Sequence, residues 1–400
     1  MKTEIFTDDI SGAARLIAQG ELVAVPTETV YGLAGSGLDE SAVEKIYAVK
    51  GRPAVKPLSL MVSGSEAIEE YCEDVPRSAY TLAEKFWPGP LTIVLKAKNN
   101  VPDIVRAGGA TVGLRCPDHP MTLELIRRAS LPLAAPSANP SGEKSPTNAQ
   151  QVREYFDGQI AGIIDGGECG IGTESTLIDM SRTPYSVLRA GAVSREDIIS
   201  ALRGKLRIVG LTGGTGCGKS TALKTLEDMG ALTIDCDEVY HELTLNSGEM
   251  LRRIEERFPG VVENGVLQRK KLGSIVFADE EALSDLNSIT HSFVGEKVEE
   301  LLSDWVMRGG TLAAIDAIAL IESGIAQQCS ETVGVTAPTR IRVERLMARD
   351  GISEEYARSR IAAQKDNEYF EKNCDYILDN GGTREEFAEK CRKLFEEILR

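Results

Sequence analysis

The chain has 400 residues, of which 42% are hydrophobic and 26% are charged, a composition typical of globular proteins and long enough for about two domains. Its formal net charge is −16, and acidic residues outnumber basic ones in both halves. This balance argues against strong direct binding of a long nucleic acid, but it leaves nucleotides open because they need only a few local cations.

The eight cysteines are scattered and form no C-x-x-C pair, so we expect neither a zinc site nor a disulfide framework. The N-terminal residues lack a charged-then-apolar signal pattern, and no apolar run approaches the ~18 residues of a membrane span. We therefore expect a cytoplasmic protein with reduced thiols and no membrane contact.

The first candidate site follows a strand near the N-terminus. The run Glu21–Val25 predicts this strand, and Thr29 offers a hydroxyl group just beyond it. A helix is predicted over Ser41–Lys50, and we expect Pro53 to end it and to leave two cations on a fixed turn.

Hydroxyl groups, an amide and a few cations recur at the ends of later strands in this half. They lie in the segments Trp87–Thr92, Val112–Arg115, Ala135–Asn139, Ser145–Thr147, Gly172–Thr176 and Leu188–Gly191. Such a set suits a polyanion, whose charge would be met by Lys50, Arg52, Lys56, Arg115 and Arg189. No nucleophile–base pair is recognisable, so we expect positioning and electrostatics rather than covalent catalysis.

Together these segments resemble the YrdC-like threonylcarbamoyl-AMP synthase family over residues 5–200. The K-x-R and S-x-N signatures of that family are present as Lys50/Arg52 and Ser137/Asn139. The resemblance implies a twisted mixed sheet with flanking helices. It also implies a reaction that joins L-threonine, bicarbonate and ATP to give threonylcarbamoyl-AMP and pyrophosphate. The product would feed the threonylcarbamoyladenosine modification of tRNA, which implies contact with the tRNA threonylcarbamoyl-transferase complex.

The same resemblance implies the ligands of each substrate. One departure is Met61, where many family members have a histidine on the threonine side. It leaves an alternative open, in which this half is a YrdC-like nucleotide- or RNA-binding regulator without synthase activity. L-threonine would be bound by Thr29, Arg115, Ala135 and Ser175. ATP would be bound by Lys50, Arg52, Lys56, Thr111, Ser137, Asn139, Ser145 and Arg189.

A short helix separates the two halves. Ser194 is predicted as its N-cap, acidic residues follow in its first turn, and we expect it to end by Leu202. A strand follows almost at once, so we expect domains at residues 1–204 and 205–400 without a long flexible linker.

The centre of the chain carries a phosphate-binding loop. Residues 213–220 read G-G-T-G-C-G-K-S, between a predicted strand at Leu206–Leu211 and a predicted helix at Thr221–Met229. Glycines let the backbone N–H groups curl towards an anion, and the helix N-terminus adds partial positive charge. Lys219 would reach the outer phosphates of ATP, and Ser220 would hold Mg²⁺.

Strands and helices alternate after this loop, which predicts a parallel sheet with crossover helices. The predicted strands are Ala231–Ile234, Leu312–Ile315 and Glu331–Thr336. A P-loop alone leaves GTPases, motor ATPases and small-molecule kinases open, and the lack of an N-K-x-D motif weighs against a GTPase. Ligands bind beyond the carboxyl ends of such strands, where acidic residues follow: Asp235, Asp237 and Asp316.

An arginine-rich helical segment is predicted at residues 340–364. Its arginines would close over a transferring phosphoryl group, as the lid of a kinase does. The alternative is a solvated charged helix with salt bridges. The arginines are Arg340, Arg342, Arg345, Arg349, Arg358 and Arg360.

Nearly all of residues 206–400 resemble dephospho-CoA kinase. The resemblance implies an α/β P-loop kinase fold of three layers, with a parallel sheet and a helical lid. It also implies ATP-dependent phosphorylation of the ribose 3′-hydroxyl of dephospho-CoA. Beside the P-loop, the segments that carry it are Ile234–Asp237, Ile289–His291, Ile321–Gly324, Arg345–Gly351, Arg360–Gln364 and Cys374–Asn380.

By this resemblance Asp237 is the general base and Lys219 the second catalytic residue, while dephospho-CoA contacts Asp237, His291 and Arg360. Ser292 is a departure, since the family usually has proline there. A kinase for another small nucleotide or metabolite is the alternative. The whole chain is thus predicted to be a bifunctional enzyme. ATP would be bound in this half by Gly213, Gly214, Thr215, Gly216, Cys217, Gly218, Lys219, Ser220, Thr221 and Arg349.

Overall fold

The computed structural model describes residues 2–399 of the chain. Over this range the chain forms two compact units. The first runs up to Gly204 and includes Met307–Gly309, and the second comprises Lys205–Val306 and the residues from Gly310 onwards. None of the described helices has both the length and the apolar character needed to cross a membrane.

The first unit is built on a β-sheet with both parallel and antiparallel neighbours. Its strands are β1 (Glu4–Phe6), β2 (Val23–Val25), β3 (Gly32–Ser36), β4 (Ser59–Met61), β5 (Cys72–Glu73), β6 (Leu91–Ala97), β7 (Thr111–Arg115), β8 (Leu133–Ala134), β9 (Gly162–Ile164), β10 (Thr176–Asp179) and β11 (Ser186–Arg189). Within the described residues the order is β1-β9-β2-β3-β8-β4-β7-β6-β10-β11, and β5 pairs with β6. The pairs β1/β9, β2/β9, β4/β7 and β6/β10 are parallel, which confirms the predicted mixed sheet.

Helices flank this sheet, as predicted. They are α1 (Ser11–Ala18), α2 (Glu40–Lys50), α3 (Glu66–Tyr71), α4 (Arg77–Phe86), α5 (Asp103–Arg106), α6 (Pro120–Ala129), α7 (Ala149–Phe156) and α8 (Arg195–Arg203). The apolar stripes of α1 and α6 face the sheet, where Ile17 and Leu125 pack with Val25 and Ile164 in one buried cluster. This burial fixes the strand ends that carry the polar residues of the unit.

Helix α2 ends at a glycine, so the prediction that Pro53 ends it is wrong. Gly51 has a φ of 58°, and the N–H group of Arg52 donates to the carbonyl of Tyr47 at 3.0 Å. Glycine takes this left-handed conformation without a steric penalty. Helix α8 begins as predicted, because Ser194 and Asp197 form a reciprocal capping box.

The second unit contains a parallel sheet. Its strands are β12 (Arg207–Thr212), β13 (Leu232–Asp235), β14 (Val262–Glu263), β15 (Val266–Leu267), β16 (Leu312–Asp316), β17 (Glu331–Thr336) and β18 (Tyr376–Asp379). The described residues place five of them in the order β13-β16-β12-β17-β18, with every neighbouring pair parallel. This confirms the predicted sheet and brings the strand carboxyl ends to one edge, while β14 and β15 form a separate hairpin.

Helices surround this sheet. Leu226 and Phe387, on two of them, pack with Val209, Leu211 and Val335 of the strands in one buried cluster. A 3₁₀ turn at Ile325–Gln328 precedes β17. The helices are α9 (Lys219–Asp228), α10 (Cys236–Asn246), α11 (Gly248–Arg257), α12 (Arg269–Val276), α13 (Glu280–Met307), α14 (Thr339–Asp350), α15 (Glu354–Ala362), α16 (Asn367–Asn373) and α17 (Arg384–Ile398).

The predicted helical segment 340–364 consists of two helices rather than one. Gly351 takes a φ of 66° and ends α14, and the hydroxyl of Ser353 caps α15 by accepting from the N–H group of Tyr356 at 3.2 Å. The break brings Arg349 of α14 and Arg360 of α15 together, where both pair with Asp350.

Candidate functional sites

The first unit contains a cavity of about 370 Å³ at the ends of its central strands. Thr29 is not among its lining residues, but its hydroxyl accepts a hydrogen bond from Arg115 Nη2 at 2.8 Å. Thr111 lies at the opposite end of β7 from Arg115 and does not line the cavity. The residues of the two predicted substrate sets that do line it are Lys50, Arg52, Lys56, Arg115, Ala135, Ser137, Asn139, Ser145, Ser175 and Arg189.

Lys50 joins the two sequence signatures in this cavity. Its side chain is buried, and Nζ donates to the backbone carbonyls of Ser137 and, at 2.5 Å, of Asn139. Burial lowers the pKa of Lys50 to about 8. Asn139 in turn donates to the carbonyl of Glu143 at 2.7 Å, while its Oδ1 atom is buried and finds no partner among the described residues. The loop therefore offers an unused acceptor.

No carboxylate of residues 2–399 lies within salt-bridge distance of the Arg52 guanidinium. Its Nε and Nη2 atoms donate to the backbone carbonyls of Lys56 and Pro57, at 3.3 and 3.0 Å. Burial lowers the pKa of this guanidinium. The turn after α2 thus presents a positive group to the cavity in a fixed orientation, which suits a phosphate.

Arg115 is buried at the other end of the cavity. Its Nη2 atom pairs with Glu28 Oε1 at 2.8 Å, and its Nε atom donates to the carbonyl of Gly89 at 3.2 Å. Met61 lies beside it, opposite Arg115 in the β4–β7 register. Sequence reasoning missed Glu28, although it stands next to Thr29, because nothing local indicates which distant cation it pairs with.

Glu174 was also missed. Its carboxylate lines the cavity, accepts a hydrogen bond from Ser145 Oγ at 3.1 Å and pairs with the Arg189 guanidinium. The hydroxyl of the next residue, Ser175, lies 2.9 Å from that of Thr92. An acid in a cavity for a polyanion runs against the charge argument that selected the other residues, so sequence reasoning passed over it.

The second unit contains a cavity of about 750 Å³ around its P-loop. Gly213 and His291 do not line it; His291 lies half-buried on α13, where burial lowers its pKa. The predicted residues that line it are Gly214, Thr215, Gly216, Cys217, Gly218, Lys219, Ser220, Thr221, Asp237, Arg349 and Arg360.

Asn380 and Arg345 hold the P-loop backbone. Asn380 is buried after β18 and donates from Nδ2 to the carbonyl of Cys217 at 2.8 Å, and its Oδ1 accepts from Arg345 Nη2 at 3.1 Å. Gly218 has a φ of 108°, and a Cβ atom there would collide with the Asn380 amide. Both side chains line the cavity together with Arg384. Arg345 is one of the predicted lid arginines, whereas Asn380 and Arg384 are not among the predicted site residues.

Acidic side chains gather opposite the P-loop lysine. Lys219 Nζ lies 3.4 Å from Asp316 Oδ1, and burial raises the pKa of Asp316 to about 6. Asp235 faces Asp316 across β13 and β16, and its Oδ1 accepts from the N–H groups of Asp237 and Glu238 to cap α10. Burial, followed by the charge of Asp235, raises the pKa of Asp237.

The oxygen donors at this edge fit magnesium. The described residues contain no cluster of three or more His, Cys, Asp or Glu side chains arranged to hold a metal. However, Mg²⁺ bound with nucleotides is usually held by one or two protein oxygens, phosphates and water. Ser220 lines the cavity beside Lys219, together with carboxylates of Asp235, Asp237 and Asp316. This donor set of hydroxyl and carboxylate oxygens is the kind that magnesium prefers.

The arginines of the lid, α14 and α15, have different surroundings. Arg349 and Arg360 line the cavity but both pair with Asp350, at 2.7 and 2.8 Å. Hydrogen bonds from Arg349 and then Arg360 lower the pKa of Asp350 to about 2. Arg342 is buried against the P-loop and donates to the carbonyl of Thr215 at 2.9 Å.

The remaining lid arginines match the alternative of a charged surface helix. Arg340 pairs with Glu344 at 3.6 Å, and Arg358 pairs with Glu354 at 2.8 Å. Both pairs join residues four apart on one helix and are exposed, so they contribute little to stability.

Two family models match this chain, one in each half. The model Sua5_yciO_yrdC, described as "Telomere recombination", matches residues 15–191. The model CoaE, described as "Dephospho-CoA kinase", matches residues 207–386.

Curated relatives match each half separately. The threonylcarbamoyl-AMP synthase of Pyrococcus abyssi is 48% identical over 196 residues, which cover 49% of this chain but only 57% of that protein. A synthase-type relative from Mycobacterium tuberculosis is 37% identical over 194 residues, which cover 48% of this chain and 88% of that protein. The dephospho-CoA kinase of Thermobifida fusca is 39% identical over 194 residues, which cover 48% of this chain and 96% of that protein. The chain therefore belongs to two families, the Sua5/YciO/YrdC family through its first half and the dephospho-CoA kinase family through its second half.

Proposed function

We propose that this chain is a bifunctional enzyme. Residues 1–204 would make threonylcarbamoyl-AMP and pyrophosphate from L-threonine, bicarbonate and ATP. Residues 205–400 would transfer a phosphoryl group from ATP to the ribose 3′-hydroxyl of dephospho-CoA. The observation that carries this proposal is that a cavity in each unit is lined by cations and hydroxyl groups, the kinds of group that bind the phosphates and ribose of a nucleotide.

In the kinase reaction the P-loop positions the phosphates of ATP. Backbone N–H groups of residues 213–221 and the N-terminus of α9 would face the phosphate oxygens, and Lys219 would neutralise the outer ones. Arg349 would stabilise the charge on the transferring phosphoryl group once its ion pair with Asp350 is partly broken. Mg²⁺ held at Ser220 would neutralise the charge shared between the outer phosphates.

Asp237 would act as the general base of this transfer. As the 3′-oxygen of the acceptor bonds to the γ-phosphorus and the bond to the leaving ADP oxygen breaks, the hydroxyl proton passes to the Asp237 carboxylate. The raised pKa of Asp237 makes its carboxylate a better proton acceptor than that of an exposed aspartate. Arg360 would contact dephospho-CoA within the cavity, and His291 would contact the part of it that lies outside this cavity.

In the synthase reaction the chain would bind and orient three substrates. Lys50 would hold the loop that carries Ser137 and Asn139, and this loop would shape the nucleotide part of the cavity. Arg52 and Lys56 would bind the phosphates. Arg115 would hold the carboxylate of L-threonine, with Ser175 and Thr29 nearby. The supporting geometry is that these groups, apart from Thr29, line one cavity, which suits catalysis by positioning.

The cellular setting is part of the same proposal. The threonylcarbamoyl-AMP would pass to the complex that modifies tRNA, and both reactions would run in the cytoplasm, where ATP and Mg²⁺ are available. All eight cysteines are free, which is typical of a reducing compartment.

A paired assay on the purified full chain tests the proposal. The first arm measures pyrophosphate release while L-threonine, bicarbonate and ATP are omitted in turn. The second arm measures phosphorylation of dephospho-CoA against AMP, UMP and shikimate. Release that needs all three substrates, together with a preference for dephospho-CoA, supports both activities. Kinase activity without threonine-dependent release would instead favour a regulatory role for the first half, and a better acceptor than dephospho-CoA would refute the kinase assignment.

A further inference from the structure

Glu174 is a negatively charged side chain that pairs with a cation in a cavity whose cations suit an anion. Its carboxylate lines the 370 Å³ cavity of the first unit, where Arg52, Lys56 and Arg189 also lie, and its side chain is 35% exposed. A carboxylate in such a place repels phosphate oxygens at short range. Its position therefore calls for a role that ordinary phosphate binding does not supply.

The contacts of Glu174 engage groups that a nucleotide would need. Ser145 Oγ donates to Oε1 at 3.1 Å, and Arg189 Nη1 pairs with Oε2. The other nitrogens of Arg189 donate to the carbonyl of Ser175 at 2.9 and 3.1 Å, and Nη2 also donates to its hydroxyl at 3.1 Å. A hydroxyl and a guanidinium of the predicted ATP set are thus already satisfied within the protein.

The electrostatics of the cavity explain why this arrangement is stable. Arg52 lies close enough to both Lys50 and Arg189 for their charges to interact, and neither Lys50 nor Arg52 has a carboxylate partner among the described residues, so these cations repel one another. Burial lowers the pKa values of Lys50 and Arg52, and the charge of Glu174 opposes that shift in both. Glu174 offsets the repulsion that the cations would otherwise suffer without a polyanion.

We propose that Glu174 is an internal competitor of ATP, which holds Ser145 and Arg189 until a phosphate of the nucleotide displaces it. This inference rests on the proposed function, in which residues 1–204 bind ATP. It makes Glu174 a residue that sets nucleotide affinity rather than a ligand of the nucleotide or of its metal. Removing the charge frees both groups and removes the repulsion, so the affinity for ATP should rise.

The test compares the ATP dependence of three variants with that of the unaltered full chain. Pyrophosphate release is measured with saturating L-threonine and bicarbonate and without dephospho-CoA, so that the second unit does not contribute. Glu174→Gln should lower the KM for ATP about 3-fold to 10-fold. Glu174→Asp keeps the charge but is too short to reach Ser145 and Arg189 together, so it should lower the KM by less.

The control is Glu143→Gln. Glu143 is an exposed acid that lines the same cavity without an ion pair among the described residues, so its substitution should change the KM less than about 2-fold.

Each outcome is informative because the expected change is a gain, which a poorly folded variant cannot imitate. An unchanged KM in Glu174→Gln, or a higher one, would overturn the inference, and a higher one would indicate that Glu174 binds the nucleotide or its metal. An equal fall in Glu143→Gln would also overturn it, since general charge would then explain the effect. If Glu174→Gln does not fold, Glu174→Asp provides the test. A KM for ATP that does not fall in Glu174→Asp would then refute the inference that Glu174 competes with ATP. Absence of threonine-dependent release in the unaltered protein would refute the proposed function itself, and the inference with it.

Discussion

Asp316→Asn should make the second unit more stable at neutral pH. Asp316 is buried at the end of β16, 3.4 Å from Lys219 Nζ, and burial raises its pKa from 3.8 to about 6. A carboxyl whose pKa is higher in the folded state binds more protons there than in the unfolded state. Stability therefore falls as the pH rises from about 4 to about 6, and the loss is complete above that range.

The size of the effect follows from the shift in pKa. A difference of about 2 pKa units corresponds to about 3 kcal/mol of unfolding free energy, the cost of keeping the ionised carboxylate in its buried position. Asparagine has nearly the same shape and resembles the protonated carboxyl beside a charged Lys219. The variant should therefore gain about 2 to 3 kcal/mol at pH 7.5 and little or nothing at pH 4. Its kinase activity should fall, because Lys219 loses the partner that orients it.

This stability is measured by unfolding the protein in urea and monitoring hydrogen exchange in peptides from β12 and β16. These peptides belong to the second unit, so the first unit does not contribute. The experiment is run without nucleotide or magnesium at pH 4, 5, 6 and 7.5. Asp304→Asn, an exposed change on α13, controls for the loss of one negative charge. A variant that is less stable than the unaltered protein at pH 7.5, or a difference that does not grow with pH, would refute the reasoning.

Three further predictions concern the two sites. Lys219→Ala should reduce phosphorylation of dephospho-CoA by at least about 10³-fold and leave threonine-dependent pyrophosphate release intact. The control, Lys224→Ala at an exposed position, should affect neither activity. Loss of both activities in Lys219→Ala would contradict independent sites. Arg52→Ala should raise the KM for ATP of pyrophosphate release by about 10-fold or more without changing the kinase, and an unchanged KM would show that the phosphates bind elsewhere. Asn380→Ala leaves the carbonyl of Cys217 without its donor, so it should lower the unfolding free energy by about 1 to 3 kcal/mol and raise the kinase KM for ATP. The control is Asn373→Ala at an exposed position. Equal effects in both variants would argue against a role for the contact between Asn380 and Cys217.

The sequence by itself determined the parts of this protein that depend on neighbouring residues. The P-loop could be predicted because residues 213–220 are contiguous and their glycines specify the backbone directly. The parallel sheet of the second unit followed from apolar runs that end in acids, and the start of α8 followed from Ser194 and Asp197, three residues apart. The family patterns added the roles of residues whose spacing alone is uninformative.

Only the tertiary structure decided which distant groups meet. Lys50 clamps the loop at Ser137, 87 positions away, and Asn380 supports the carbonyl of Cys217, 163 positions away. The partner of a polar side chain depends on how sheets and helices pack, which no local spacing encodes. For the same reason the sequence did not reveal that Glu174 occupies Arg189. Charge counting selects cations for an anion cavity, but the acids that neutralise those cations before a ligand binds are identified only by their contacts in the folded chain.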